Sequence, residues 1–262
     1  MELKKIIQYL VFSNIWIAFG SVGVTVATFL FTKIPLDYHF LCLMFFVTLF
    51  GYNLQNISER EVHKVRSNQI IWTQSNSKSI RIITLVALMF SIFFSFLSMT
   101  AYTAVISLPF LLLVLFYRIN FFNKIKFRNI PGLKILIISI CWTWTCCILP
   151  QILYSLNMDW TLVFFIFFYI LLITIPFDIR DMELDEEINT IPQIIGSRNA
   201  ILFSFFLAIV LFVFFAFIGN FKICIFLIFT CLILLPSTKS NNEFYYLIGI
   251  DGLLIILPFF LL

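Results

Sequence analysis

Long apolar runs with few charges recur along the chain, separated by polar breaks, and this alternation predicts its elements. Such runs fall at residues 6–31, 36–54, 80–99, 102–116, 133–154, 161–177, 200–218, 222–235 and 244–262. A helix rises about 1.5 Å per residue, so roughly 17 to 25 apolar residues cross the hydrocarbon of a bilayer. Helices satisfy their own backbone inside lipid, and the runs lack the period-2 alternation of a membrane barrel. The pattern predicts an all-α, polytopic membrane protein of about nine transmembrane helices, forming one domain over residues 1–262. Lys4 and Lys5 precede a full-length apolar run with no small-residue cleavage site, which reads as a first span and not as a signal peptide.

Composition strengthens the membrane assignment: 62% of residues are hydrophobic and 11% charged, against roughly 25% charged in soluble domains. Charge adds orientation. With the N-terminus inside, 17 Lys and Arg less Lys33 and Lys222 leaves fifteen on or near the cytoplasmic side, as the positive-inside rule requires. The expected location is a bacterial cytoplasmic membrane. The net charge of +4 follows from that asymmetry and from anionic headgroups beside it, and it points to membrane lipid and to no nucleic acid. The six cysteines lie in apolar runs without metal spacing and read as packing residues. The long polar connections, 55–79, 117–132 and 178–199, all face the cytoplasm, and chemistry is expected there.

One connection concentrates negative charge. FDIRDMELDEEINTIPQIIG, residues 177–196, follows a run without any charge. Asp178, Asp181 and Asp185 stand at i, i+3 and i+7, so a helix extended past Phe177 places them on one stripe. Three such carboxylates repel one another unless a cation sits among them, and hard oxygen ligands suit Mg²⁺ shared with a substrate phosphate. By charge alone, a solvated acidic helix end accounts for the cluster equally well. The basic loop of the same face, with Arg118, Lys124, Lys126, Arg128 and Lys134, tips the balance toward a metal-held diphosphate, whose far side such cations clamp.

RDMELDEEINTIPQIIG resembles the second aspartate-rich motif of the UbiA superfamily of intramembrane prenyltransferases, with Arg180, Asp181, Glu183, Asp185, Thr190, Pro192 and Gly196 in place. LFYRINFFNKIKFRNIPGLK looks like the family's basic segment, matching at Tyr117, Lys126, Pro131 and Lys134. The first aspartate-rich motif should lie in YNLQNISEREVHKVRSNQ, where Glu59–Arg60 aligns with the family's acidic–arginine pair. Gln55, Asn56, Glu59 and His63 then occupy the motif positions, one carboxylate standing where the family has three. The resemblance implies an enzyme that transfers a prenyl group from an isoprenyl diphosphate to a lipophilic acceptor with Mg²⁺. It implies catalytic roles for Asp181, Asp185 and Lys126. Asp178, Asp181, Asp185 and Glu59 would bind metal, and Asn56, Arg60, Tyr117, Arg118, Arg128, Lys134 and Arg180 would bind substrate. The altered first motif leaves a second expectation open, a catalytically impaired relative that binds a prenyl lipid or a membrane partner.

Three further features stand out. Asp251 lies inside the last apolar run, where a carboxylate is either a buried hydrogen-bonded structural group or part of a cavity wall. Ser13, Asn14 and Trp16 interrupt the first run, as cavity-lining or interhelical hydrogen-bonding residues. Tyr245 and Tyr246 are expected at the headgroup level.

Overall fold

The computed structural model describes residues 2–58, 67–116, 132–182, 190–240 and 242–261. Among these, every regular element is helical. In chain order they are α1 (Glu2–Phe12), α2 (Ile15–Thr32), α3 (Tyr38–Ser58), α4 (Asn68–Ser75), α5 (Ser77–Ser98), α6 (Ala101–Phe116), α7 (Leu133–Thr143), α8 (Leu149–Leu153), α9 (Trp160–Arg180), α10 (Ile191–Ile195), α11 (Ser197–Phe217), α12 (Phe221–Leu234) and α13 (Asp251–Ile256). Wider π-helical turns, Trp144–Ile148 and Tyr245–Ile250, lead into α8 and α13. Among the described residues six stretches are long and apolar enough to cross a membrane: Ile15–Thr32, Ser77–Ser98, Leu133–Leu153, Trp160–Arg180, Ser197–Phe217 and Phe221–Thr238. Ala101–Val114 and Tyr245–Phe260 are shorter apolar helices. The chain is a multi-pass integral membrane protein.

Burial orders the bundle. Trp160–Arg180 is 72% buried, whereas Ser77–Ser98 is 22% buried, so α9 is the central post and α5 an outer wall. Phe165, Tyr169, Leu172 and Ile175 of α9 are fully enclosed. Lipid is as apolar as these side chains, so close packing and interhelical hydrogen bonds must hold such helices together. Close packing is present where α2 meets the last segment. A Cβ on Gly23 would fall on the Leu254 carbonyl oxygen and lie 2.9 Å from Ile255 Cα, and one on Gly20 would lie 3.2 Å from Leu254 Cβ. The two glycines let α13 sit directly on the α2 backbone.

The predicted first run, 6–31, is two helices. Asn14 adopts a left-handed conformation, φ 63°, which its short polar side chain tolerates. Its Nδ2 donates to Asn53 Oδ1 at 3.0 Å, and Asn53 Nδ2 donates to the Ser13 carbonyl at 2.9 Å. The backbone group released by the break is thereby satisfied from α3. The tyrosines of the last segment are both anchored by hydrogen bonds. Tyr246 is 1% exposed, and its hydroxyl donates to the Ser237 carbonyl at 2.6 Å and the Ser240 carbonyl at 3.0 Å. Tyr245 donates to the Ile233 carbonyl at 2.6 Å. They pin the last segment to the end of α12.

The predicted polar connection 55–79 contains α4. Its Ile70 and Trp72 are half-buried while Ile71 is exposed, and Trp72 meets Tyr9 edge-on with ring centroids 5.6 Å apart. The start of α4 is held by Ser67 Oγ, which accepts from Ile70 N–H at 3.1 Å. Glu243 completes it, accepting from Asn68 N–H at 2.6 Å and from Gln69 N–H at 3.0 Å. A carboxylate on free helical N–H groups contributes about 1–2 kcal/mol. Glu243→Ala is therefore expected to speed amide hydrogen exchange across residues 68–75 by roughly five- to thirty-fold, with α9 amides unchanged.

Candidate active site

Four helix ends converge at one end of the bundle. The C-terminal turns of α3 bring Gln55 and Asn56, the start of α4 brings Ser67 and Gln69, the start of α7 brings Lys134, and the end of α9 brings Phe177, Arg180 and Asp181. Together they line the mouth of a cavity of about 560 Å³. α3 lines it from Leu43 to Asn56, 13 positions or about 20 Å. The interior is walled by residues such as Met44, Val47, Leu111 and Ile138. The far end is reached at Ser95, Met99 and Ala104, where α5 gives way to α6. The cavity is polar at its mouth and apolar through its depth.

α9 continues past Phe177 to Arg180, and Asp181 closes it with its N–H on the Phe177 carbonyl at 2.9 Å. Asp178 and Asp181 thus stand one turn apart, as the spacing predicted, but in different surroundings. Asp178 is 1% exposed and pairs with Lys134 Nζ at 2.7 Å. Lys134 is on the cavity wall, and Asp178 stands behind it. α7 enters beside this pair through Gly132, whose φ of 73° suits a residue without Cβ. Asp181 lines the cavity and holds Arg180 through two bonds, Nε to Oδ1 at 2.7 Å and Nη2 to Oδ2 at 3.0 Å. The Arg180 guanidinium also lies over the Phe177 ring at 5.2 Å and the Tyr246 ring at 5.7 Å, which fixes its plane. Each of these two carboxylates therefore has a cation beside it. The α10 turn is tied to the same place: Gln193 Oε1 accepts from Thr190 N–H at 2.9 Å, and its Nε2 donates to the Met182 carbonyl at 3.2 Å.

Asn56 Nδ2 is buried on this wall and has no hydrogen-bond partner among the described residues. Asn14 combines both readings of its sequence position, bonding α3 and lining the cavity. Gln69 Nε2 joins it at 3.3 Å. Asp251 is 8% exposed and lines the cavity. Among the described residues no hydrogen bond or ion pair reaches its carboxylate, so of its two expected roles the structure selects the lining one. Ser67, Gln69 and Tyr52 were not anticipated on the wall; for Tyr52 the available signal is its place one turn before Asn56.

Of the residues expected from sequence, Asp178, Asp181, Lys134, Arg180 and Asn56 come together here. Glu59, Arg60, His63, Tyr117, Arg118, Lys124, Lys126, Arg128 and Asp185 lie outside the described residues. Among the described residues no three His, Cys, Asp or Glu side chains gather at one point.

No protein-family model and no curated protein matches the sequence. The fold is similar to the solved structure of a UbiA homologue from Archaeoglobus fulgidus bound to GPP and Mg²⁺. The TM-score is 0.66 at 14% identity, over 97% of this chain and 99% of that one. At that identity the likeness is one of architecture, and it extends over nearly every residue of both chains. The chain has a UbiA-like fold.

Proposed function

We propose that the protein is a membrane prenyltransferase, moving an isoprenyl group from an isoprenyl diphosphate to a lipophilic acceptor. The observation that carries this reading is a single cavity with two chemistries. Its mouth offers Lys134, Arg180 and the Asn56 amide, all donors suited to phosphate oxygens, and its depth is mostly apolar, with space for hydrocarbon. An anionic head on a long apolar tail is the ligand complementary to both. The likeness to a homologue bound to GPP and Mg²⁺ supports the same ligand class.

The donor set at the mouth also fits Mg²⁺. Asp181, Asn56 and Gln55 are hard oxygen donors on the cavity wall, and this ion commonly takes one or two carboxylates with waters and phosphate oxygens for the rest. Asp181 would hold it, joined by Asp185 and Glu59 as the sequence resemblance implies. Bound there, the ion supplies charge neutralisation to the diphosphate. Lys134 and Arg180 bind and orient the same oxygens, so the carbon–oxygen bond of the donor breaks with its leaving charge already countered. The aromatic faces of Phe50, Tyr52, Trp142 and Phe177 on the wall stabilise the positive charge developing on the allylic carbon, and the surrounding aliphatic side chains keep water from it.

A second reading, a relative that retains the prenyl lipid without the chemistry, is favoured by Asn56 standing on α3 where the family resemblance expects a carboxylate. Calorimetry on detergent-purified protein with a non-hydrolysable isoprenyl diphosphate separates the two. Binding in Mg²⁺ that is lost in EDTA, and weakened on the order of ten-fold or more by Asp181→Ala, is the expected result. No binding in either condition by folded protein would overturn the prenyltransferase reading.

A further inference from the structure

The N-terminal helix carries an apolar face that the bundle leaves uncovered. In α1, Leu3, Ile6 and Leu10 stand at i, i+3 and i+7 and share one stripe, and they are 71%, 56% and 36% exposed. Another side of the helix packs inward. Val11 and Phe12 are buried in a cluster with Leu247, and the Phe12 ring lies 5.9 Å from that of Trp72 and 5.3 Å from that of Phe244. α1 is thus anchored to the bundle on one side and exposed along an apolar stripe on another.

Length places that stripe. α2 alone runs 18 residues, Ile15–Thr32, about 27 Å, close to the whole hydrocarbon thickness of a bilayer. With Lys33 at its far end, the break at Asn14 falls at the level of the cavity mouth, whose wall Asn14 joins, and α1 lies beyond it. The charges around the stripe name what it meets there. Lys4 and Lys5 stand to either side of it on α1, and Lys78 and Arg81 open α5 at the same end of the bundle; all four are exposed. Against them α1 carries one acidic residue, Glu2. An apolar stripe flanked by lysines is the pattern of a helix lying in the plane of an anionic membrane surface, its lysine stems reaching along the helix to the phosphates.

We propose that α1 is a docking surface for the headgroups of anionic phospholipids on the mouth side of the membrane, and that its seating there holds α4, one lip of the cavity, in place. The link runs through Trp72 of α4, which touches Tyr9 and Phe12 of α1. One turn earlier, Gln69 Nε2 donates to Asn14 Oδ1 at 3.3 Å, and Gln69, Ile70 and Thr73 line the cavity. No substrate takes part in this seating, which stands whether or not the protein is a prenyltransferase.

Amide hydrogen exchange of the full-length protein tests it, in nanodiscs of phosphatidylcholine alone and in nanodiscs with phosphatidylglycerol as roughly a third of the lipid. A lysine near an anionic surface shifts binding about five-fold. Residues 3–12 are therefore expected to exchange on the order of ten-fold more slowly with the anionic lipid, and residues 68–75 several-fold more slowly. Salt at about 0.5 M should remove most of the difference. Lys4→Gln with Lys5→Gln should bring the two compositions within about two-fold of each other, whereas Ile6→Ser with Leu10→Ser should speed exchange of residues 3–12 in both. Residues 160–180 of α9 are the internal control and should exchange alike throughout, which separates a released α1 from an unfolded bundle. Equal exchange of α1 in the two compositions, or an anionic-lipid effect that survives the double lysine variant, overturns the proposal. Slowing confined to α1, with α4 unmoved, overturns the hold on the cavity lip. Protection of α1 that grows with the number of copies per disc would assign the stripe to a second copy of the chain and overturn the lipid surface as its partner.

Discussion

Gly23→Ala is expected to lower the stability of the folded protein by about 3 kcal/mol, a large effect for one methyl group. The added Cβ meets backbone, the Leu254 carbonyl oxygen and Ile255 Cα at 2.9 Å, and backbone inside a packed helix has no rotamer into which to retreat. The two helices must separate along their whole contact, and there is no hydrophobic gain in lipid to offset the lost packing. Gly51→Ala is the matched control. Its Cβ would meet Val114 Cγ1 at 3.8 Å, ordinary van der Waals contact, and alanine is the better helix former by about 1 kcal/mol. Thermal unfolding in one detergent should show Gly23→Ala well below wild type and Gly51→Ala at or above it. Equal melting temperatures for the two would contradict the close approach of α13 to α2.

Lys134→Met is expected to cost about 3–5 kcal/mol, because it leaves the Asp178 carboxylate, 1% exposed, without the ammonium 2.7 Å away. The reverse change is milder. Asp178→Ala leaves Lys134, which is 21% exposed and can extend its charge toward the cavity mouth, so about 2 kcal/mol is expected. The double variant should lose less than the sum of the two, a coupling of the kind seen for residues in contact. This arrangement also bears on ligand binding. The metal role expected for Asp178 and the phosphate role expected for Lys134 meet in one ion pair, so a diphosphate that draws on Lys134 does so against Asp178.

The architecture was largely legible because hydropathy alone sets it: runs long enough to cross a bilayer can do little else. The end of α9 was legible too, since the spacing of Asp178 and Asp181 carries meaning only on a helix that passes Phe177. The features that escaped depend on contacts between distant segments. The break at Asn14 reads as part of an apolar run until Asn53 is known to catch the freed Ser13 carbonyl. The π turn before Asp251 has no local composition that marks it. Helix α4 was hidden in a polar connection, although Ile70–Ile71–Trp72 is an apolar triplet with no reason to remain in water. Tyr52 carries no motif, and its place on the cavity wall appears only when the segment carrying Asp251 arrives from the other end of the chain to line the same cavity.

That arrival sets an order of events. Gly23 is separated from its partner Leu254 by 254 less 23, or 231, residues, and Asn68 from Glu243 by 175. A ribosome adding roughly 5–20 residues per second inserts α2 some 10–50 s before the segment that covers it. During that interval the glycine groove faces lipid, the start of α4 lacks the Glu243 carboxylate, and Arg180 waits without the ring of Tyr246. The cavity is thus closed by a segment that leaves the translocon after α2 to α12, and a chain halted before it would place those earlier spans in the membrane around an unfinished wall.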